Sequence, residues 1–236
     1  MSLEVTNSKT NLDNLQSVVP LRTLLLLLFA VVAGVTVAVI VLPLLLPGLS
    51  NSLLSVQPKA YWYISRASAM VAYLLLWMSM AFGLSITSKL SRSWPGAAQA
   101  VSLHQYTALL GLAFALLHAL ILLGDQYINY NLAQVLIPFG SSSYRQLGVG
   151  FGQITFYLLA VVSFSFYFRK QIGHRTWRLI HFASFALFVM ALIHGLVSGT
   201  DSADLWAKGI YWVTGGSILF LTMYRMIPRL MVRAVK

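Results

Sequence analysis

The chain has 236 residues, 58% of them hydrophobic and 9% charged, with sixteen basic and five acidic side chains and no cysteine. A soluble domain of this length needs a far more charged surface, so the composition points to a polytopic helical membrane protein, all-α in class. The missing cysteines exclude disulfides, thiolate catalysis, iron–sulfur clusters and covalent C-x-x-C-H haem attachment. The net charge of +11 is dispersed at the ends of apolar runs, as membrane flanks are, and does not read as a nucleic-acid surface.

Residues 1–20 are polar, rich in Asn, Ser and Thr, and read as a mobile tail. The first apolar run, Leu21 to Leu46, is too long for a signal-peptide core, and no small-residue cleavage site follows it. It is expected to span, ending at Pro43 and Pro47. Further spans are expected at about Ser65–Thr87, Ala98–Leu123, Gly148–Phe168, Trp177–Val197 and Leu205–Ile227. These give a six-helix bundle over 21–228 and a basic tail at 229–236. The longest connection, 124–147, carries Pro138 and Gly140 and is a candidate lid.

Placing the amino terminus inside puts twelve of the sixteen basic residues on the inner side. Lys59, Arg66, Arg145 and Lys208 lie toward the other side. The positive-inside rule then makes both termini cytoplasmic, or stromal in a thylakoid. The expected location is an integral position in a plasma, inner or thylakoid membrane.

Four histidines interrupt two of these apolar segments. His104 and His118 stand 14 residues apart in the third, and His181 and His194 stand 13 apart in the fifth. A polar ring at membrane depth is costly unless something uses it. With six spans, the third and fifth helices run in the same direction. His104 then pairs by depth with His181, and His118 with His194, the two levels lying roughly 20 Å apart. Asp125 and Asp201 each follow an outer histidine by seven residues and match the register.

Imidazole is a common haem ligand, so the pairs read as axial ligands of two non-covalent, bis-histidine b-type haems. Zinc would need three or four converging ligands. Interhelical hydrogen bonding, in a scaffold or small transporter, is the alternative use of such histidines. Fourteen residues leave His104 and His118 on one face, whereas thirteen leave His181 and His194 well off one face. Either the fifth helix is distorted, near Ser184 or Gly195, or it presents these two histidines at different azimuths.

Gly111, midway between His104 and His118, is a place where a flat macrocycle could approach, or a helix-packing position. Arg66 at the outer end and Arg178 (with Arg175) at the inner end are candidates for haem propionates. Each is equally explained as an interfacial or positive-inside arginine. Phe185 and Phe188 lie between the fifth-segment ligands, and His174 sits in a basic loop outside the ligand set.

The four-histidine spacing, with Ser65-Arg66-Ala67, Gly173-His174-Arg175-Thr176-Trp177-Arg178-Leu179-Ile180-His181 and His194-Gly195-Leu196-Val197-Ser198-Gly199-Thr200-Asp201, resembles the ferric reductase-like transmembrane domain shared with NADPH oxidases. The resemblance covers about Tyr61 to Pro228. It implies a transmembrane electron-transfer protein with two stacked haems, passing electrons to an outer ferric chelate or oxygen. Here the sequence stops about nine residues after the sixth segment, and no G-x-G-x-x-G on a βαβ unit is present. No FAD or NAD(P)H site is therefore expected, and the donor is expected to be a separate flavoprotein, quinol or other membrane carrier. A second expectation within this wider group is a haem-binding membrane subunit serving a partner enzyme, such as a periplasmic methionine-sulfoxide reductase.

Overall fold

The computed structural model describes residues 17–48, 60–141 and 143–234, side chains excepted over 228–234. Most of the expected polar tail, residues 1–16, and residues 235–236 lie outside the described residues. Among the described residues the fold is helical without a strand. The long helices are α1 (Leu21–Leu45), α2 (Ala60–Thr87), α3 (Ala97–Gly124), α5 (Gln146–Ser165), α7 (His174–Ser198) and α8 (Leu205–Ala234). Short helices α4 (Leu132–Leu136) and α6 (Arg169–Ile172) lie in the connections.

Among the described residues five helices, α1, α2, α3, α5 and α7, are long and apolar enough to cross a membrane. The sixth expected span does form a helix, α8. Lys208, Arg225 and its glycines dilute its apolar character, and it is not one of the five. It also continues through Ala234, into the expected basic tail at 229–236.

Pro43 does not end α1. A π-turn at Val37–Val41 precedes it, and the helix resumes at Leu42–Leu45 before stopping short of Pro47. A proline removes a helical N–H and crowds the preceding turn, and the wider π-turn is a common way of absorbing such a disruption. Much of α1 presents large apolar side chains outward, as Leu26 and Phe29 do. Leu24 and Val35 face inward, and the Tyr61 hydroxyl donates to Ala38 O at 2.6 Å.

The core lies where α2, α3, α5, α7 and α8 meet. Tyr73, Leu76, Met80, Leu112, Leu159, Leu187, Phe188 and Ile218 form its buried centre. In lipid, apolar burial drives helix association weakly, so close packing and interhelical hydrogen bonds matter more. Two such bonds fasten α8 to α2: Tyr73 Oη to Thr214 Oγ1 at 2.6 Å, and Trp77 Nε1 to Ser217 Oγ at 2.8 Å.

The 125–145 connection folds as a lid. Asp125, buried, accepts from the backbone N–H groups of Tyr127 and Ile128 and sets its first turn. Asn131 and Gln134 form a reciprocal capping box that starts α4. Gln153 on α5 then donates to Gln134 O and Val135 O, both at 2.8 Å, and accepts from Phe139 N.

Candidate functional site

The histidines meet as their depths require. The His104 and His181 ring centres are 5.9 Å apart, and those of His118 and His194 are 6.1 Å apart. Helices α3 and α7 carry all four.

Helix α7 resolves the thirteen-residue spacing. It is interrupted at Ala183, between His174–Phe182 and Ser184–Ser198, where Ala183 N donates to Ile180 O in a tight i→i−3 bond. Thirteen regular residues fall roughly 140° short of four turns. Three residues in 3₁₀ geometry recover about 60° of that.

Three of the rings are held by one device. His104 Nδ1 lies 2.8 Å from Ser79 O, His118 Nδ1 lies 2.9 Å from Ser65 O, and His194 Nδ1 lies 2.8 Å from Gly148 O. A carbonyl oxygen only accepts, so each Nδ1 carries the proton and each Nε2 keeps its lone pair. Among the described residues no Nε2 of these histidines makes a hydrogen bond; the ring contacts use Nδ1.

The first two clamps are reciprocal. Ser79 Oγ donates to His104 O at 3.1 Å, and Ser65 Oγ donates to His118 O at 3.0 Å. Ser65 and Ser79 are 14 residues apart, as are His104 and His118. The two helices run antiparallel, so one register serves both levels. Ser65 was read only as part of the Ser65-Arg66-Ala67 stretch and Ser79 was not singled out, although their matching interval was a readable signal.

Two glycines lie directly against histidine rings. A Cβ on Gly152 would meet the His194 ring at 2.5 Å, and one on Gly83 would meet the His104 ring at 3.3 Å. Gly111 itself lies against α2, where a Cβ would meet Leu75 Cβ at 3.5 Å and Ala72 O at 3.6 Å. Its small size serves helix packing there.

A cavity of about 250 Å³ surrounds the His118–His194 pair. Arg66 and Tyr73 line it, and the lid closes part of it through Ile128, Tyr130 and Val135. Arg66 forms an ion pair with Asp201, its Nε donating to Oδ2 at 3.1 Å, and lies 5.7 Å from the Tyr63 ring centre. The lid is tied to the end of α7 by Tyr144 Oη, which donates to Ser198 O at 2.9 Å, and by Arg145, which donates to Val197 O. Burial raises the pKa of the Tyr144 hydroxyl.

At the other level, Trp177 lies 5.4 Å from the His181 ring. Arg178 is exposed one turn before His181, and His174 is exposed against Trp177. Neither joins the pairs. Phe188 is buried and stacks on Tyr73 at 6.0 Å, between the two levels, while Phe185 packs at the edge of the core.

Metal fit follows from the distances. An imidazole nitrogen binds a first-row metal at about 2.0 Å, so two imidazoles on opposite sides of one metal have ring centres roughly 6 Å apart. Both observed pairs match. Among the described residues, no three His, Cys, Asp or Glu side chains converge on a metal position. A bare ion would be left with two protein ligands, whereas a metal already held in a planar macrocycle needs only these two. The donor set therefore suits haem better than zinc.

No family model, no curated protein and no solved structure matches the chain.

Proposed function

We propose that this protein is a transmembrane electron conduit of the ferric reductase-like kind, holding one b-type haem between His104 and His181 and another between His118 and His194. The observation that carries this reading is the pair of facing imidazoles repeated at two depths, with ring centres 5.9 and 6.1 Å apart. Haem held by these residues would supply one-electron chemistry, and two histidines for each haem would suit electron transfer over oxygen binding.

The protein's own residues have three tasks. Ser65, Ser79 and Gly148 fix the tautomer and plane of three ligands through backbone carbonyls. Gly83 and Gly152 keep side chains away from two of the rings. The core between the levels, with Tyr73 stacked on Phe188, excludes water from the interval that an electron must cross. In this reading α8 is the sixth span, both termini face the cytoplasm or stroma, and the lid lies outside. A flavoprotein, quinol or other membrane carrier reduces the inner level. A ferric chelate, oxygen or partner enzyme accepts at the outer one.

Reconstitution into liposomes tests it. With a reductant sealed inside and a membrane-impermeant ferric chelate outside, the haem-loaded protein is expected to reduce external iron. Liposomes with His104→Leu protein are expected to show only the leak of empty vesicles. Absence of flux despite two intact haems refutes the conduit.

A further inference from the structure

The lid places one buried hydroxyl where the ligand clamps do not use it. Tyr130 is 6% exposed, lines the cavity around His118 and His194, and among the described residues its Oη makes no hydrogen bond. Burying a phenol hydroxyl without a partner is costly, so a native structure that does so usually has a partner for it in another state. The lining narrows the choice of that partner. Arg66 and Asp201 both line the cavity and pair with each other, and Tyr144 already donates to Ser198 O. Tyr130 is thus a donor still to be satisfied, in a cavity whose walls are mostly apolar. The hydrogen-bond acceptors that a haem brings to such a donor are its carboxylates.

We propose that Tyr130 is a carboxylate anchor: its hydroxyl donates to a carboxylate of the tetrapyrrole bound between His118 and His194, on the side of the cavity that Arg66 flanks. The proposal rests on haem binding at that pair and adds a contact from the lid. The lid is fastened to α5 by Gln153 and to α7 by Tyr144 and Arg145. Tyr130 would fasten it to the cofactor as well, so that the outer haem is released through lid opening.

Haem transfer to excess apomyoglobin tests this with the assembled holoprotein, the outer-level phase being the one absent in His118→Leu. Tyr130→Phe keeps the ring and removes only the donor. A lost hydrogen bond to a charged group corresponds to roughly tenfold or more in rate, so the outer phase is expected to accelerate by about that factor. The acceleration is expected to vanish when both proteins carry haem dimethyl ester, which has no carboxylate. Equal rates for Tyr130→Phe and the unmodified protein with ordinary haem would overturn the anchor. An acceleration that persists with the ester would also overturn it, pointing to water or packing as the partner of Tyr130. If Tyr130→Phe does not assemble, the unmodified protein decides: the ester is expected to leave the outer level several-fold faster than free-acid haem, and equal rates would overturn the proposal. A protein that takes up no haem fails the functional reading itself, which is a separate result.

Discussion

Gly152→Ala should remove the haem of the His118–His194 level and leave the other in place. The added Cβ would stand 2.5 Å from both Cε1 and Nδ1 of His194, against 3.4 Å or more for ordinary contact. The ring must therefore retreat by most of an ångström. It has little freedom to do so, because Nδ1 is anchored to Gly148 O at 2.8 Å on the same helix that carries the new methyl group. A metal–ligand bond tolerates about 0.2 Å of displacement. The steric demand exceeds that several-fold, so His194 would be moved out of reach of a haem held together with His118. Pyridine haemochromogen quantitation on purified protein is expected to fall from two haems per chain to one. Gly111→Ala is the contrast. Its Cβ meets neighbours no closer than 3.5 Å, and both haems are expected to remain. Two haems and an unchanged spectrum in Gly152→Ala would refute the claim that this glycine makes room for a ligand.

Other substitutions probe separate parts of the account. His104→Leu is expected to lower the haem content to one per chain, read from the same assay, with the His118–His194 level spectrally intact. Asp125→Ala leaves the Tyr127 and Ile128 N–H groups without their acceptor; at roughly 1–3 kcal/mol for buried unpaired groups, the lid should become the first site of limited proteolysis. Tyr73→Phe removes the 2.6 Å bond to Thr214 and is expected to cost about 1 kcal/mol, seen as a lower midpoint in thermal unfolding with both haems kept. Asp201→Asn should cost at most about 1 kcal/mol in the same experiment, because Arg66 and Asp201 are 33% and 25% exposed and solvent screens the pair.

The depth pairing of the histidines was legible because it depends only on helical rise and chain direction, both of which the apolar runs and the basic flanks specify. The neighbours that hold the rings were harder to see. Ser65 and Ser79 lie in an apolar helix where serine is common, and only their shared interval with His104 and His118 marks them. The closeness of Gly152 to the His194 ring is not contained in its position along the chain. It depends on how α5 packs against α7. The Asp125 and Asp201 repeat looked like one feature at equal depth. Asp125 instead builds the first turn of the lid, while Asp201 pairs with Arg66. Such roles come from the partner each side chain meets, which a residue interval does not contain. The irregularity in α7 was anticipated from thirteen residues against fourteen, and the tight turn at Ala183 adjoins Ser184, one of the two positions named for it.

The reduced-minus-oxidised spectrum of the purified protein, with haem quantitation after expression in ample haem, tests the central claim most directly. Two b-type haems per chain with low-spin, six-coordinate spectra are expected. No Soret band would contradict the account and leave the four histidines as interhelical hydrogen-bonding groups, and a reproducible value of one haem would contradict the paired-depth arrangement.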